Sequence, residues 1–435
     1  MLASLSEWVV PYGLRLGNPG FSGWVTTAPT VVPAVAQLAA AISSPQKWWL
    51  TPGNLLEEVA LRWLRSLLGL GDAAGALVSG GMMANFLGLA AARQHAGERH
   101  GIDPSADGVA AMNEPRLYAG EHVHHVMLRS LGLLGLGRKA LVRIPVDRRR
   151  GLDTDALAAT LDADLAAGRT PIAVVASAGD VNTGRIDPID TVRAIAHARG
   201  VWLHVDGAYG GFGVLDPRVR DQYGDLTQVD SLAVDPHKWL AVPVGCGAGF
   251  VRDGDLLERA MALEPAAYVE GGAEREPRST FDHFGVSHHD HTLEHSSPSR
   301  GVAVWAALAE IGADGMRARV ARHLDCARRV AERVRAHPDL ELLAEPVLSI
   351  CCFRYHPPAL RDQGTIERLN QAIVADIRAR GLAVPSTTRV RNIFAIRPCF
   401  IGPRADLEQA DLLVDEVLRS GVRHDSPARQ KSARS

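Results

Sequence analysis

Residues 201–213 read VWLHVDGAYGGFG and residues 234–250 read VDPHKWLAVPVGCGAGF. In the first stretch an unbroken apolar run ends on Asp206 and is followed by small residues. Such a run suits a strand buried on both faces, and an acid at its carboxyl end faces the crevice where open α/β sheets bind ligands. The glycines and alanine that follow would let a flat ligand approach the backbone. In the second stretch Lys238 stands after the strand-like run SLAV and before another apolar run. Burying a lysine among Pro, His, Trp and Leu is costly unless its amine is used, so Lys238 reads as a chemical residue rather than a solvated turn lysine. Read alone, Asp206 is equally a turn or cap residue. The presence of Lys238 downstream turns the pair into a candidate site.

Around these two stretches, from Gly75 to Val251, short apolar runs alternate with helical patterns: GALVS then MMANFLGLAAARQ, ALVRIP then DTDALAATLDADLAA, IAVVASA then PIDTVRAIAHARG. This alternation predicts an α/β layer with a mostly parallel central sheet. Residues 1–60 read as an N-terminal arm, with Pro-rich turns, the helix-like VPAVAQLAAAI and no strand that could start a domain. Residues 61–300 then form a large domain that carries a long polar loop over 262–298, and a loop of that length in a compact enzyme is usually functional or mobile. Residues 301–425 read as a smaller C-terminal α+β domain and residues 426–435 as a disordered tail.

With 435 residues, 46% hydrophobic and 22% charged, the chain can bury a sizeable core. A formal net charge of −2 with scattered Lys and Arg offers no basic stripe for a nucleic acid. The start lacks the pattern of a signal peptide, and no apolar run approaches the roughly 20 residues of a membrane span. Five cysteines without CxxC spacing read as buried thiols in a reducing compartment, so a cytoplasmic protein without membrane contact is expected.

HVDGAYGG followed by DPHKW resembles the group II pyridoxal-phosphate (PLP) dependent decarboxylases, the family of aromatic-L-amino-acid, histidine and glutamate decarboxylases. The resemblance runs from about Asn18 to Ala410. It implies the aspartate-aminotransferase-like fold, PLP fold type I, in a homodimer acting on an amino acid. It further implies that Lys238 is the Schiff-base lysine, that Asp206 pairs with the pyridine nitrogen, that Ala208 lies under the ring and that His237 is near the phosphate. LYAGEHVHHVMLRSLGLLGLG is similar to the segment whose histidine stacks on the ring, which points to His124. Without the resemblance, His122, His124 and His125 are an ordinary polar helix start. LVSGGMMANFLGLAAAR resembles the strand, turn and helix that cradle the phosphate, with backbone N–H groups of Gly81 and Met82 as donors. NPGFSGWVTT is similar to the segment that lines the substrate pocket, at Trp24, Val25 and Thr26, although Trp24 also reads as an arm residue packed on the body.

Three departures from the family pattern matter. Gly81-Met82-Met83 stands where the family has Gly-Thr-Glu or Ala-Ser-Glu, so a phosphate-binding hydroxyl is missing. Asp180 and Val181 replace two threonines, while Asp187 matches a second family acid or serves as a cap before Pro188. The family's loop tyrosine, which protonates the carbanion, has no evident counterpart. Counting back from Arg300 and Trp305, its place falls close to His288, with Tyr268 too far toward the loop's start. His283, His288, His289, His291 and His295 with Asp282, Asp290 and Glu294 raise the question of a metal, but a mobile loop lacks the rigid surroundings that metal ligands need, so no metal is expected. The expected activity is PLP-dependent decarboxylation of an L-amino acid, an aromatic one among the options. Lys238, His124 and His288 are the expected catalytic residues. Loss of the tyrosine keeps open an oxidative outcome that yields an aldehyde, or another PLP lyase reaction. The altered phosphate and threonine positions keep open a PLP-binding homologue without catalysis.

Overall fold

The computed structural model describes residues 2–46, 52–147, 151–261 and 288–432. The chain divides into two compact units, one of residues 30–321 and one joining residues 1–29 to 322–435.

Strand β1 (Phe21–Ser22) belongs to the second of these units. The first holds β2 (Ala74–Val78), β3 (Pro115–Gly120), β4 (Leu141–Ile144), β5 (Thr170–Ser177), β6 (Trp202–Gly207), β7 (Ser231–Val234) and β8 (Gly247–Val251). They form one sheet in the order β2-β8-β7-β6-β5-β3-β4. Pairing is parallel from β4 through β3, β5 and β6 to β7, whereas β8 runs antiparallel to both β7 and β2. Six strands therefore share one direction. The sheet is the mostly parallel one that the alternating pattern predicts, in an α/β fold. Its strands are near-continuous apolar runs, AVVA in β5 and SLAV in β7, because helices cover both faces. The helix Gly81–Arg99 packs on β5, β6, β7 and β8 and is buried along most of its length. Its small residues, Ala84, Gly88, Ala91 and Ala92 among them, allow that close approach.

The common direction puts the carboxyl ends of the strands along one edge. β2 leads there into Gly80 and Gly81, β3 into the segment of His122–His125, β6 ends at Asp206–Gly207 and β7 leads into Asp235–Lys238.

The second unit is built on a five-stranded sheet, β1-β11-β12-β10-β9, with β9 (Leu340–Ala344), β10 (Cys352–Tyr355), β11 (Val384–Val390) and β12 (Ile393–Arg397). It is antiparallel except that β1 lies parallel to β11, with Phe21 opposite Val384. The first 60 residues show no strand pattern in the sequence, because the two residues of β1 are too few to show alternation. Phe353, Tyr355, Ile373, Ile377, Leu413 and Val417 form the core under the helices Gln363–Ala379 and Leu407–Ser432. The latter helix runs through Ser432, into residues whose composition reads as a disordered tail. The segment Gly301–Ala336 is two helices meeting at Gly312, whose φ of 66° breaks the helical backbone where the sequence pattern also breaks. All five cysteines are buried. Among the described residues no helix is long and apolar enough to cross a membrane.

Asn370 ties this second core together, accepting from Tyr355 N (2.8 Å) and donating to the carbonyls of Tyr355 (2.8 Å) and Ile366 (2.9 Å). Asn370→Leu conserves volume but leaves those buried backbone groups unpaired. It should lower stability by about 3 kcal/mol, read as an earlier urea midpoint. An unchanged midpoint would mean that water replaces the amide.

Candidate active site

Lys238 lies in the turn that follows β7. Its amide donates to the carbonyl of Asp235 (2.8 Å), and its Nζ stands 3.2 Å from Asp235 Oδ2. The same carboxylate oxygen accepts the amide of Gly81 (3.0 Å), so one buried acid ties the lysine turn to the start of the helix Gly81–Arg99. An anion at a helix N-terminus is favoured by the helix dipole. Asp235 Oδ1 is buried without an aligned hydrogen bond, 2.9 Å from His237 Nδ1, which pairs with the carbonyl of Cys246 (2.9 Å). Gly80 enters the helix at φ 151°, where a side chain would be strained, and a Cβ on Gly247 would come within 2.4 Å of the Gly80 carbonyl carbon.

Asp206 ends β6. Its Oδ1 accepts from Ala208 N (3.1 Å) and from Asn85 Nδ2 (3.3 Å), while Asn85 Nδ2 also donates to the carbonyl of Gly81 (2.8 Å). No donor among the described residues reaches Oδ2. Ala208 adjoins the helix start, since a Cβ on Gly81 would sit 2.9 Å from its own Cβ.

His124 follows β3. Burial holds its imidazole pKa below the ordinary value; Asp206 works against that shift, and His125 and Lys238 add to it. His124 is thus in electrostatic reach of both Asp206 and Lys238. Its Nδ1 accepts from Val126 N at 3.4 Å, which leaves the ring proton on Nε2. Lys238, Asp206, His124, His237, Ala208 and Gly81 therefore gather at one sheet edge. Met82 is in the first helical turn there, its Sδ 3.8 Å from Arg129 Nη1. The amides of Met82 and Met83 have no intrahelical acceptor, as first-turn amides do not.

Other residues are placed elsewhere. His288, expected over the site, is buried in a short turn, His288–His291, and pairs with Glu58 at 3.3 Å, holding that carboxyl below its ordinary pKa. The neighbouring His291, whose imidazole pKa burial lowers, lies beside the backbone of Gly75, near the amino end of β2. At about 3.3 Å per residue this lies some 16 Å along the strand from Gly80, at the opposite edge of the sheet. Within one chain His288 is not brought to Lys238, because an imidazole taken out of water finds a carboxylate where one is near. Residues 262–287, with Tyr268, Asp282 and His283, lie outside the described residues. Among the described residues no group of His, Cys, Asp and Glu side chains could hold a metal. Asp187 clamps the amides of Leu152 and Ser177 (2.8 Å each), and burial pushes its carboxyl up to about 6. Asp180 organises its own turn, accepting from the amides of Asn182, Thr183 and Arg185, with Val181 inside that turn. Arg300 donates to Gly245 O (2.9 Å) and pairs with Glu294, beside a cavity of about 530 Å³ that Ser79, Cys246 and Ser297 also line. Trp24, Val25 and Thr26 lie in the unit of residues 1–29 and 322–435, with Trp24 at φ 50° and exposed, its carbonyl bonded to Arg397 Nη1 (3.1 Å).

Asp235 and Asn85 are functional positions without a local sequence signature: inside DPHKW Asp235 reads as a turn residue, and Asn85 reads as one more position of an apolar helix. A polar amide buried in an Ala-rich helix was the available signal.

Residues 37–356 match the family model described as the pyridoxal-dependent decarboxylase conserved domain. The chain belongs to this family. It is a PLP-dependent carboxy-lyase that decarboxylates an L-amino acid. Among similar proteins, the aromatic-L-amino-acid decarboxylase of Bacillus atrophaeus is 29% identical over 399 residues, 91% of this chain and 79% of that protein. The L-2,4-diaminobutyrate decarboxylase of Acinetobacter baumannii is 27% identical, over 97% of this chain and 84% of that protein. Oryza sativa TDC, solved with PLP and tryptamine, superposes with a TM-score of 0.88 at 22% identity, over 97% of this chain and 87% of that one, and shares the fold. The site fits the cofactor: a primary amine, a carboxylate with one oxygen left over and first-turn amides for a dianion meet at one edge.

The contact between Gly80 and Gly247 should limit PLP binding. Overpacking costs about 1–3 kcal/mol, so Gly247→Ala should weaken PLP affinity by about tenfold, the equivalent of 1.4 kcal/mol, in an equilibrium titration. Wild-type affinity would show that the turn tolerates displacement.

Proposed function

We propose that Lys238 attaches PLP through Nζ, that Asp206 pairs with the ring nitrogen and keeps it protonated, and that His124 covers the ring face. The observation that supports this reading is the gathering of these three side chains at the carboxyl edge of the sheet. When bound, PLP supplies an electron sink for the pair left by departing carbon dioxide. The amides of Met82 and Met83, with His237, hold the phosphate, since the Gly81 amide is engaged by Asp235. The proton that replaces carbon dioxide on the substrate α-carbon comes from solvent by way of His124 Nε2, which gives up its proton and takes another from water, because His288 lies at the other edge of its own chain. By the likeness of NPGFSGWVTT to the family's substrate-lining segment, Trp24, Val25 and Thr26 are the residues that select the substrate, and an indole among them supports a flat, apolar side chain such as an aromatic one. The aromatic relative in Bacillus atrophaeus supports the same class.

The chain works as a homodimer. Trp8, Val10 and Tyr12, and Val31, Val35, Leu38 and Ile42 farther on, are exposed apolar residues concentrated in the first 43, more than a lone chain usually leaves in water. A cytoplasmic setting agrees with five buried cysteines and no disulfide among the described residues.

Purified PLP-loaded protein should convert an aromatic L-amino acid to its amine, scored by mass spectrometry against basic and acidic amino acids. Aldehyde with dioxygen consumption would replace this reading with the oxidative one, and no product from any amino acid would overturn it. After borohydride treatment, Lys238→Ala should carry no covalently fixed cofactor. Fixation at the wild-type level would remove Lys238 from its role.

A further inference from the structure

A chain of buried hydrogen bonds reaches Asp206 from an indole. Trp202 Nε1 donates to Ser231 Oγ (2.8 Å), Ser231 Oγ lies 2.8 Å from His204 Nδ1, and His204 Nε2 lies 2.7 Å from Asn85 Oδ1. Asn85 Nδ2 then donates to Asp206 Oδ1 (3.3 Å). Ser231, His204 and Asn85 are each at most 1% exposed.

The direction of every bond follows from the two ends. An indole N–H only donates, so Ser231 Oγ accepts there and has its one proton left for His204 Nδ1. At the other end the carbonyl of Gly81 only accepts, and it lies 2.8 Å from Asn85 Nδ2. The amide nitrogen of Asn85 therefore faces Gly81 and Asp206, and its oxygen faces His204. His204 must donate from Nε2. Both ends demand the same tautomer, with Nδ1 bare and the proton on Nε2. Burial pushes the His204 pKa down to about 4, so the ring is neutral, in agreement with the geometry. A second ring proton would face a hydroxyl whose own proton then had no acceptor.

The fold leaves room for this arrangement and for little else. His204 and Ser231 sit opposite each other in the pairing of β6 with β7. A Cβ on Gly88 would stand 2.4 Å from His204 Nδ1 and 2.8 Å from Ser231 Oγ, so the covering helix is cut back where it crosses the pair.

We propose that Trp202, Ser231, His204 and Asn85 form a positioning relay that aims its donors at Asp206 Oδ1, stabilising the negative charge there and leaving Oδ2 for the ring nitrogen. The proposal rests on the reading of Asp206 as the partner of that nitrogen. Every member is neutral, so the relay supports an anion without adding a cation that would compete with the protonated ring for it. Aligned bonds in a low-dielectric interior reinforce one another. These side chains act through Asp206, much as the residues behind a metal ligand fix its orientation.

The test uses holoenzyme reconstituted with PLP carrying nitrogen-15 in the ring, whose chemical shift reports whether that nitrogen is protonated, independently of turnover. Wild type should show the protonated position. Asp206→Ala should move it to the unprotonated one, which tests the underlying reading by itself. His204→Leu and Asn85→Leu should each move the shift the same way and weaken PLP retention by about tenfold or more. His204→Gln, whose amide nitrogen can stand where Nε2 stands, should restore most of the wild-type shift. Shifts unmoved in both leucine variants, with Asp206→Ala moved, would overturn the relay alone. An unmoved Asp206→Ala would overturn the reading beneath it. Should the leucine variants fail to fold, Ser231→Ala removes only a hydroxyl and makes the same discrimination: a wild-type shift in it overturns the relay.

Discussion

Six strands of the larger sheet run the same way, and that common direction determines where chemistry can take place. Parallel strands need crossover helices, and the helices must return over the faces, so the loops at the carboxyl ends are the backbone left available at one edge. Lys238, Asp206 and His124 stand far apart in sequence, on three different strand ends, yet the edge collects them. The antiparallel β8 contributes in a different manner. Because it enters the sheet at this edge rather than leaving it, its first residue, Gly247, meets the turn at Gly80 directly. The glycine turn and the lysine turn are thus braced by the one strand that runs the other way.

Much of this was legible in the sequence because the relevant signals are local. An apolar run ending in Asp206, a lysine set among apolar neighbours and the alternation of strand and helix patterns each occupy a few consecutive residues, and the alternation becomes the α/β sheet with Asp206 and Lys238 at or just after strand ends. What was not legible depends on contacts across the fold. Asp235 looks like a turn residue until the helix start at Gly81 is placed beside it. Asn85 and His204 are 119 positions apart, and nothing in either segment announces the other. Spacing to Arg300 and Trp305 points to His288, but spacing along a loop says nothing about which carboxylate an imidazole will meet, and here it is Glu58 on the helix Pro52–Leu68. The two-residue β1 is the same lesson at the level of backbone, since its strand character comes wholly from β11.

The missing hydroxyl at Met82 and the presence of Asp235 are two sides of one electrostatic arrangement. A helix N-terminus offers partial positive charge and unpaired amides, and in this chain the amide of Gly81 is already committed to a carboxylate. A second anion brought to the same turn would be repelled by Asp235 if that charge stood alone. In the free protein the Lys238 amine lies 3.2 Å from it and offsets the acid while a dianion approaches. Once Lys238 is joined to a cofactor, the remaining first-turn amides are what attract the dianion.

Register gives the arrangement its precision. Asp206 lies opposite Ser177 on β5 and Ala233 on β7, and its neighbour His204 lies opposite Ser231. Side chains alternate between the faces of a strand, so Asp206 and His204, two apart, share a face, and it is the face on which the helix Gly81–Arg99 brings Asn85. A slip of β6 by one residue would turn both to the other face and leave a histidine, an asparagine and a carboxylate buried without partners. The hydrogen-bonded network therefore resists slippage as strongly as the apolar pattern does, since an unpaired buried polar group costs more than a paired one returns. The same bonds that orient the carboxylate also hold the strand that carries it, so the geometry of this sheet edge and the sheet register are one constraint in this fold.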